Sequence, residues 1–461
     1  MNLDKTIEDF RTGKLELDCR RMVLSQSAVG GERYEGKGYI RQCADGGLVY
    51  KIYVTGHENA SPHEGLIREM GLVGKVHPDE LFFDLVAEVK DGTEIRASRL
   101  IPRVSWSTCG EPELIRGPLP SVTATNKRLP QKAHVLELSF FEEYSIPKTH
   151  WNEVEEVDGM HSVVDGAEFE ACGMAFTARV RAGSGRSVIE VAASAPFPPD
   201  YHWRIQEALQ FIVGRTASVS AVVTCGPGFQ TIELMSPTRS SVRPHFCPPI
   251  SHASIEYRRH GWALFGAYLA YIVEMNPPTQ WHPLGYHLYI AREASANSID
   301  SWAMGVSVAL EAVASLVSIP DEQEEPSGTD AAVEKLKRYV AGEADLAYIK
   351  ERLDGLLSML KQPPGPRDTL ECLAGEGKVE GAYIKQWKKL RNTLVHPKLG
   401  DLKQPDQATV QKQLDRIHCV QVLLCQITYY LIGYSGPYTD YGAGGFPIKK
   451  YPLDAPRPIG G

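Results

Sequence analysis

The hydrophobic period of this chain changes once, near residue 250, and the two patterns on either side cannot be buried in the same way. Before that point apolar residues alternate in short runs separated by turn-forming residues. The runs GYIRQ and LVYKIYV flank CADGG; LFFDLVAEV and EIRASRLI flank KDGT; MAFTARV and SVIEVAAS flank RAGSGR. Alternation places every second side chain on one face, and Asp-Gly or Gly-rich links supply the positive φ that tight hairpins need, so this half is expected to be mostly antiparallel β. One helix interrupts it: Tyr201 to Val213 aligns Ile205, Ala208, Leu209 and Ile212 on one face, and the strand pair SVSAVVT and QTIELMS follows.

After the Pro-rich segment Arg243 to Ser251 the period becomes helical. With Asn297 or Ser298 as N-cap, Ile299, Trp302, Val306, Leu310, Val313 and Val317 recur at steps of three and four until Pro320. PDEQEEPSGTD reads as an exposed loop. Val333, Leu336, Val340, Ile349, Leu353, Leu356 and Leu360 mark one long or two shorter helices, KQPPGPRD breaks them, and Tyr383, Trp387, Leu390 and Leu394 stripe the next. Val410, Leu414, Ile417, Val420, Leu424, Ile427 and Leu431 give a closing helix. Four amphipathic stripes without an intervening strand imply a bundle, since each stripe needs another to cover it.

The expected architecture is therefore α+β and multidomain, a β-rich N-terminal region followed by an all-α bundle. Residues 1–250 form the β-rich part, with a possible subdivision near 125–132; 251–296 are linking helices, 297–434 the bundle and 435–461 an extended Gly/Pro/Tyr-rich tail. A length of 461 residues fits two or three cores. The net charge of −8 argues against chain-wide nucleic-acid binding, so such a contact has to be local. Nine scattered cysteines with no C-x-x-C support neither a disulfide framework nor a zinc ribbon. HFCPPISH, with His245, Cys247 and His252, fits no standard zinc spacing and reads as a stiffened linker. The N-terminus has no signal-like apolar core, and Gly261 to Met275, at ~15 residues, is short of the ~20 that span a bilayer, so it reads as a buried helix in a cytoplasmic protein with no membrane contact.

One stretch carries chemistry. KQWKKLRNTLVHPKLGD ends an amphipathic helix with Arg391, Asn392 and His396 and stops at Pro397. Basic residues in a last helical turn also complement the macrodipole, which is the plainer explanation. Asn392 and His396, four apart, share a face, with Arg391 beside them at the edge of the Trp387 stripe. From Lys378 to Lys403 seven basic residues, including Lys388, Lys389 and Lys398, face only Glu380 and Asp401, a local positive field suited to a polyanion. Tyr383, Trp387, Tyr429, Tyr430 and Tyr434, and likewise Tyr286, His287 and Tyr289, read as packing residues rather than a base-stacking platform.

Arg391 to His396 resembles the R-x4-6-H signature of HEPN domains, with Asn392 as the polar residue that often follows the Arg and Glu311, in VALEAVASL, on an earlier helix. The resemblance covers roughly Asn297 to Tyr434, and the β-rich front half joined to such a bundle resembles the ApeA-like group of bacterial anti-phage proteins. It implies an endoribonuclease that needs no metal or other cofactor and uses the ribose 2′-hydroxyl as nucleophile. In it His396 is general base or acid, Arg391 binds phosphate, Asn392 orients them and Glu311 supports Arg391. It also implies a homodimer with a composite site, RNA such as tRNA or phage message as substrate, and a phage-derived trigger for the front half. The alternative is a non-catalytic HEPN interaction or scaffold protein, in which the motif braces a helix end.

Overall fold

The computed structural model describes residues 3–61, 76–127, 133–156, 159–181, 186–237, 245–274, 281–317, 327–342, 365–395 and 406–453. The front half is one large antiparallel sheet. Its strands are β1 (Glu16–Gln26), β2 (Arg33–Gln42), β3 (Leu48–Glu58), β4 (Phe83–Val89), β5 (Glu94–Leu100), β6 (Arg103–Trp106), β7 (Pro112–Leu119) and β8 (Ser121–Lys127). They continue as β9 (His134–Phe140), β10 (His150–Glu156), β11 (Gly159–Ala171), β12 (Met174–Arg181), β13 (Arg186–Ala193), β14 (Val219–Gly226) and β15 (Phe229–Met235). The fifteen run in the order β10-β11-β12-β13-β9-β14-β15-β8-β5-β4-β1-β2-β3-β7-β6.

The expected hairpins are there: β2 pairs with β3, β4 with β5, β12 with β13 and β14 with β15. The turns show why. Gly46 and Gly92 both adopt φ +85°, and Asp45 and Asp91 accept the amide two residues on (3.0 Å each), so Asp-Gly closes each link. The seam between β5 and β8 is thin, with Ile95 opposite Ala124 and Arg96 opposite Thr123.

Two apolar cores lie against this sheet. The first gathers residues from Ile7 to Ala124 and is completed by Ala221, Val223, Cys225, Ile232 and Leu234; helix α1 (Leu3–Arg11) drives Phe10 into it and pairs Arg11 with Glu137 at 2.7 Å. The second runs from Leu136 to Tyr451 and unites β9, β11 to β14 and most of the later helices, but no residue of 327–342. Strand β14 serves both, with Ala221 and Val223 on one face and Val222 on the other, as a period of two requires.

Helix α2 (Tyr201–Val213) has the expected bounds and ends on Gly214 at φ +65°, where a Cβ would press on the Pro248 backbone. Next come α3 (Ile255–Glu274), α4 (Pro283–Ser295) and α5 (Ile299–Ala314). They are followed by α6 (Ser327–Gly342), α7 (Pro366–Gly375), α8 (Gly381–Val395) and α9 (Gln407–Leu431). Among the described residues no helix is long and apolar enough to cross a membrane, and α3 buries Trp262, Phe265, Tyr268 and Leu269 instead.

Ser298 caps α5 by accepting from the Ser301 amide (3.1 Å), and α5 becomes the centre of the bundle, packed by α4, α7, α8 and α9. The bundle thus differs from the sequence expectation. Helix α4, expected as a linker, packs on α5 so closely that a Cβ on Gly305 would collide with Ala294, while α6 leaves Leu336 and Tyr339 45 % and 62 % exposed. Ser327 to Asp330, expected in a loop, open α6, and the expected stripe from Ile349 to Leu360 lies outside the described residues.

The expected extended tail is folded as far as Leu453. Strands β16 (Gly436–Thr439) and β17 (Ile448–Tyr451) pair, and Tyr438 and Tyr451 are buried because the apolar area of their rings outweighs the local Gly/Pro bias. The Pro-rich segment is not a free linker either: Phe246 and Ile250 are buried, and Pro249 accepts the Thr439 amide at 3.0 Å.

Candidate functional site

Helix α8 buries Tyr383, Ile384, Trp387 and Leu390 and exposes Lys385, Lys389, Arg391, Asn392 and Thr393. Its start is held at two points. The Glu380 amide donates to Gln426 Oε1 on α9 (2.9 Å), and the Tyr383 hydroxyl donates to the fully buried Asp440 carboxylate (2.7 Å to Oδ1). Asp440 also accepts from the Gly442 amide (3.0 Å) and pairs with Lys449 (2.7 Å), so the folded tail fixes the helix that carries the motif. Burial first, and then the Asp440 carboxylate, push the Tyr383 hydroxyl pKa upward and keep it a donor.

At the other end of α8, Arg391 Nε stands 2.6 Å from Glu311 Oε1 on α5. This is the pair suggested by the sequence, and it spans two bundle helices rather than one. Arg391 remains 51 % exposed and Glu311 31 %, so the guanidinium is tethered without being enclosed. Asn392 is exposed one residue on; His396 and Lys398 lie outside the described residues.

The lysines expected to contact RNA differ in their surroundings. Lys389 is exposed, whereas Lys388 pairs with Glu371 on α7, which also accepts from Arg367 Nε at 3.1 Å. Lys388 foremost, and then Arg367, hold the Glu371 carboxyl below its usual range. The positive field counted along residues 378–403 is therefore offset by two acids from other helices, Glu311 and Glu371, that a sequence window does not contain. The i, i+4 spacing of Arg367 and Glu371 was the one visible hint that Glu371 is an ion-pairing residue.

The residues expected only to pack divide in two. Tyr383, Trp387, Tyr429 and Tyr434 are buried, but Tyr286 is 51 % exposed and, with Tyr289, lines a cavity between α2, α4 and the sheet. His245, His252 and Cys247 form no metal site: among the described residues no three His, Cys, Asp or Glu side chains are grouped to hold an ion. His252 instead lies against Tyr257, ring centres 4.6 Å apart and inclined at 50°, and burial depresses its pKa to about 4.

No family model matches the chain, and no curated protein matches it. Among solved structures it has a weak similarity to the crystal structure of MucB in complex with MucA(peri), at 11 % identity and a TM-score of 0.09, covering 42 % of this chain and 93 % of that one.

Proposed function

We propose that this chain is a HEPN-type endoribonuclease whose late helices cut RNA without a metal ion, acting in bacterial defence against phage by halting growth of the infected cell. The observation that carries the reading is the Arg391–Glu311 pair: it joins the motif helix to an earlier bundle helix and leaves the guanidinium half-exposed beside Asn392. An exposed, tethered Arg suits a phosphate ligand, because its planar fork is already oriented.

In this reading the 2′-hydroxyl loses its proton and attacks the adjacent phosphorus. The bond to the 5′-oxygen breaks, that oxygen takes up a proton, and a 2′,3′-cyclic phosphate and a 5′-hydroxyl remain. His396 transfers one of the protons, a role that contributes about 10² to 10⁴ in rate. Arg391 stabilises charge growing on the phosphoryl oxygens, and Asn392 orients the group. One His per chain serves one of the two proton transfers, so a homodimer with facing motifs supplies the second. The front half would then carry the trigger-binding surface.

Incubation of the purified protein with RNA in EDTA tests this: products ending in 2′,3′-cyclic phosphate are expected, and metal-dependent cleavage or 3′-hydroxyl ends would refute it.

A second reading, a non-catalytic interaction protein, is favoured by one observation: Arg391 and Lys388 both sit in pairs between helices, where they brace the bundle. RNA affinity separates the two, since a phosphate-tracking surface loses affinity steeply with salt.

A further inference from the structure

The sheet, α2 and α4 meet around two adjoining cavities of about 640 and 510 Å³ that share Trp203, Trp281 and Tyr286 as walls. Tyr289 completes the aromatic lining; the Trp203 and Trp281 ring centres are 6.4 Å apart and those of Trp281 and Tyr289 5.6 Å. Rings this close and inclined at 43° and 40° leave no slot for a flat base between them, and all of them line the cavities.

Two carboxylates line the adjoining cavities. Asp200 lines one cavity and Glu233 the other, and neither makes an ion pair among the described residues. Asp200 stands at the N-cap of α2 yet makes no capping hydrogen bond and adopts φ +58°, an unfavourable conformation for a residue with a Cβ. Its carboxylate is thus not consumed by the helix end. Burial raises the Glu233 pKa, a hydrogen bond from the Ser121 side chain opposes that rise, and the nearby Asp200 charge adds to it. Arg204, which lines the first cavity, pairs at 2.7 Å with the buried Glu207, whose carboxyl pKa burial pushes up to about 7. Burial lowers the pKa of both His287 and His202, so neither supplies a positive charge at neutral pH. Gln206, 6 % exposed, lines the inner cavity with its Oε1 lacking a hydrogen-bond partner, another acceptor in an acceptor-rich pocket.

We infer that this cleft binds an organic cation, an ammonium or similar group on an apolar body, held by the faces of Trp203, Trp281, Tyr286 and Tyr289 and by the Asp200 and Glu233 carboxylates. Aromatic faces, and carboxylates that form no ion pair among the described residues, attract a weakly hydrated cation. The site is separate from the Arg391 region and does not depend on the nuclease reading.

The test is calorimetric titration of the full chain with benzyltrimethylammonium and with its nearly isosteric neutral analogue, 2-methyl-1-phenylpropan-2-ol. The cation should bind at least about tenfold more tightly than the alcohol. Glu233→Gln and Asp200→Asn should each remove most of that preference while leaving the alcohol's affinity and the thermal melt unchanged. Trp281→Leu should weaken both ligands. Equal affinities, no binding of either up to about 10 mM, or a preference that survives in the carboxylate double variant would overturn the assignment.

Discussion

Arg391 on α8 and Glu311 on α5 are joined by a 2.6 Å ion pair that links two helices of the bundle, with the Arg side chain half in solvent. At such exposure the pair contributes at most about 1 kcal/mol to stability. Glu311→Gln should therefore leave the urea midpoint almost unchanged. If Glu311 positions the guanidinium, as proposed, the same variant lowers kcat for RNA cleavage by about tenfold with little change in KM. Wild-type kcat would make Glu311 a packing residue only.

Asp440 is the reverse case, because its carboxylate is fully buried and takes the Tyr383 hydroxyl, the Gly442 amide and Lys449. Asp440→Ala strands these donors and should cost about 2–3 kcal/mol in chemical denaturation, whereas Tyr383→Phe, which removes one donor and leaves the acceptor satisfied elsewhere, should cost about 1 kcal/mol. Equal costs would mean that the tail is not held through this carboxylate.

His282 caps α4: its Nδ1 accepts the Leu284 amide at 3.1 Å, which requires that nitrogen to be unprotonated. Burial, aided by the Arg204 charge, lowers its pKa from 6.5 to about 4. Between these values the unfolded chain holds the extra proton, so stability from this group is fully present above pH 6.5 and is lost as pH falls toward 4. The loss should be on the order of 1–3 kcal/mol. His282→Asn keeps a capping acceptor without a titrating group, and should flatten this part of the stability profile.

The hairpins were legible because alternation and Asp-Gly links are local, as at Asp45-Gly46 and Asp91-Gly92. The strand order was not: β9 between β13 and β14, or β1 between β2 and β4, depends on partners distant in sequence that no local pattern names. Helix periods located α2, α5 and α9 closely, yet the same periodicity suggested a packed helix at α6, whose Leu336 is exposed. Composition misled at the C-terminal end, where Gly and Pro density hid the buried Tyr438, Asp440 and Tyr451. Of the candidate site, Arg391 with Glu311 was suggested by the resemblance and by the need of a carboxylate on an apolar helix for a partner, but Glu371 beside Lys388 was not, since the two meet only through the packing of α7 on α8.

The most direct measurement is the rate of RNA cleavage in EDTA by the wild type, Arg391→Ala and His396→Ala, each first matched by circular dichroism and gel filtration. The account predicts wild-type cleavage, a loss of about 10² to 10³ in Arg391→Ala and of about 10² to 10⁴ in His396→Ala, all three proteins being equally folded. Cleavage by both variants at the wild-type rate, or none by the wild type under any condition that activates it in cells, would contradict it.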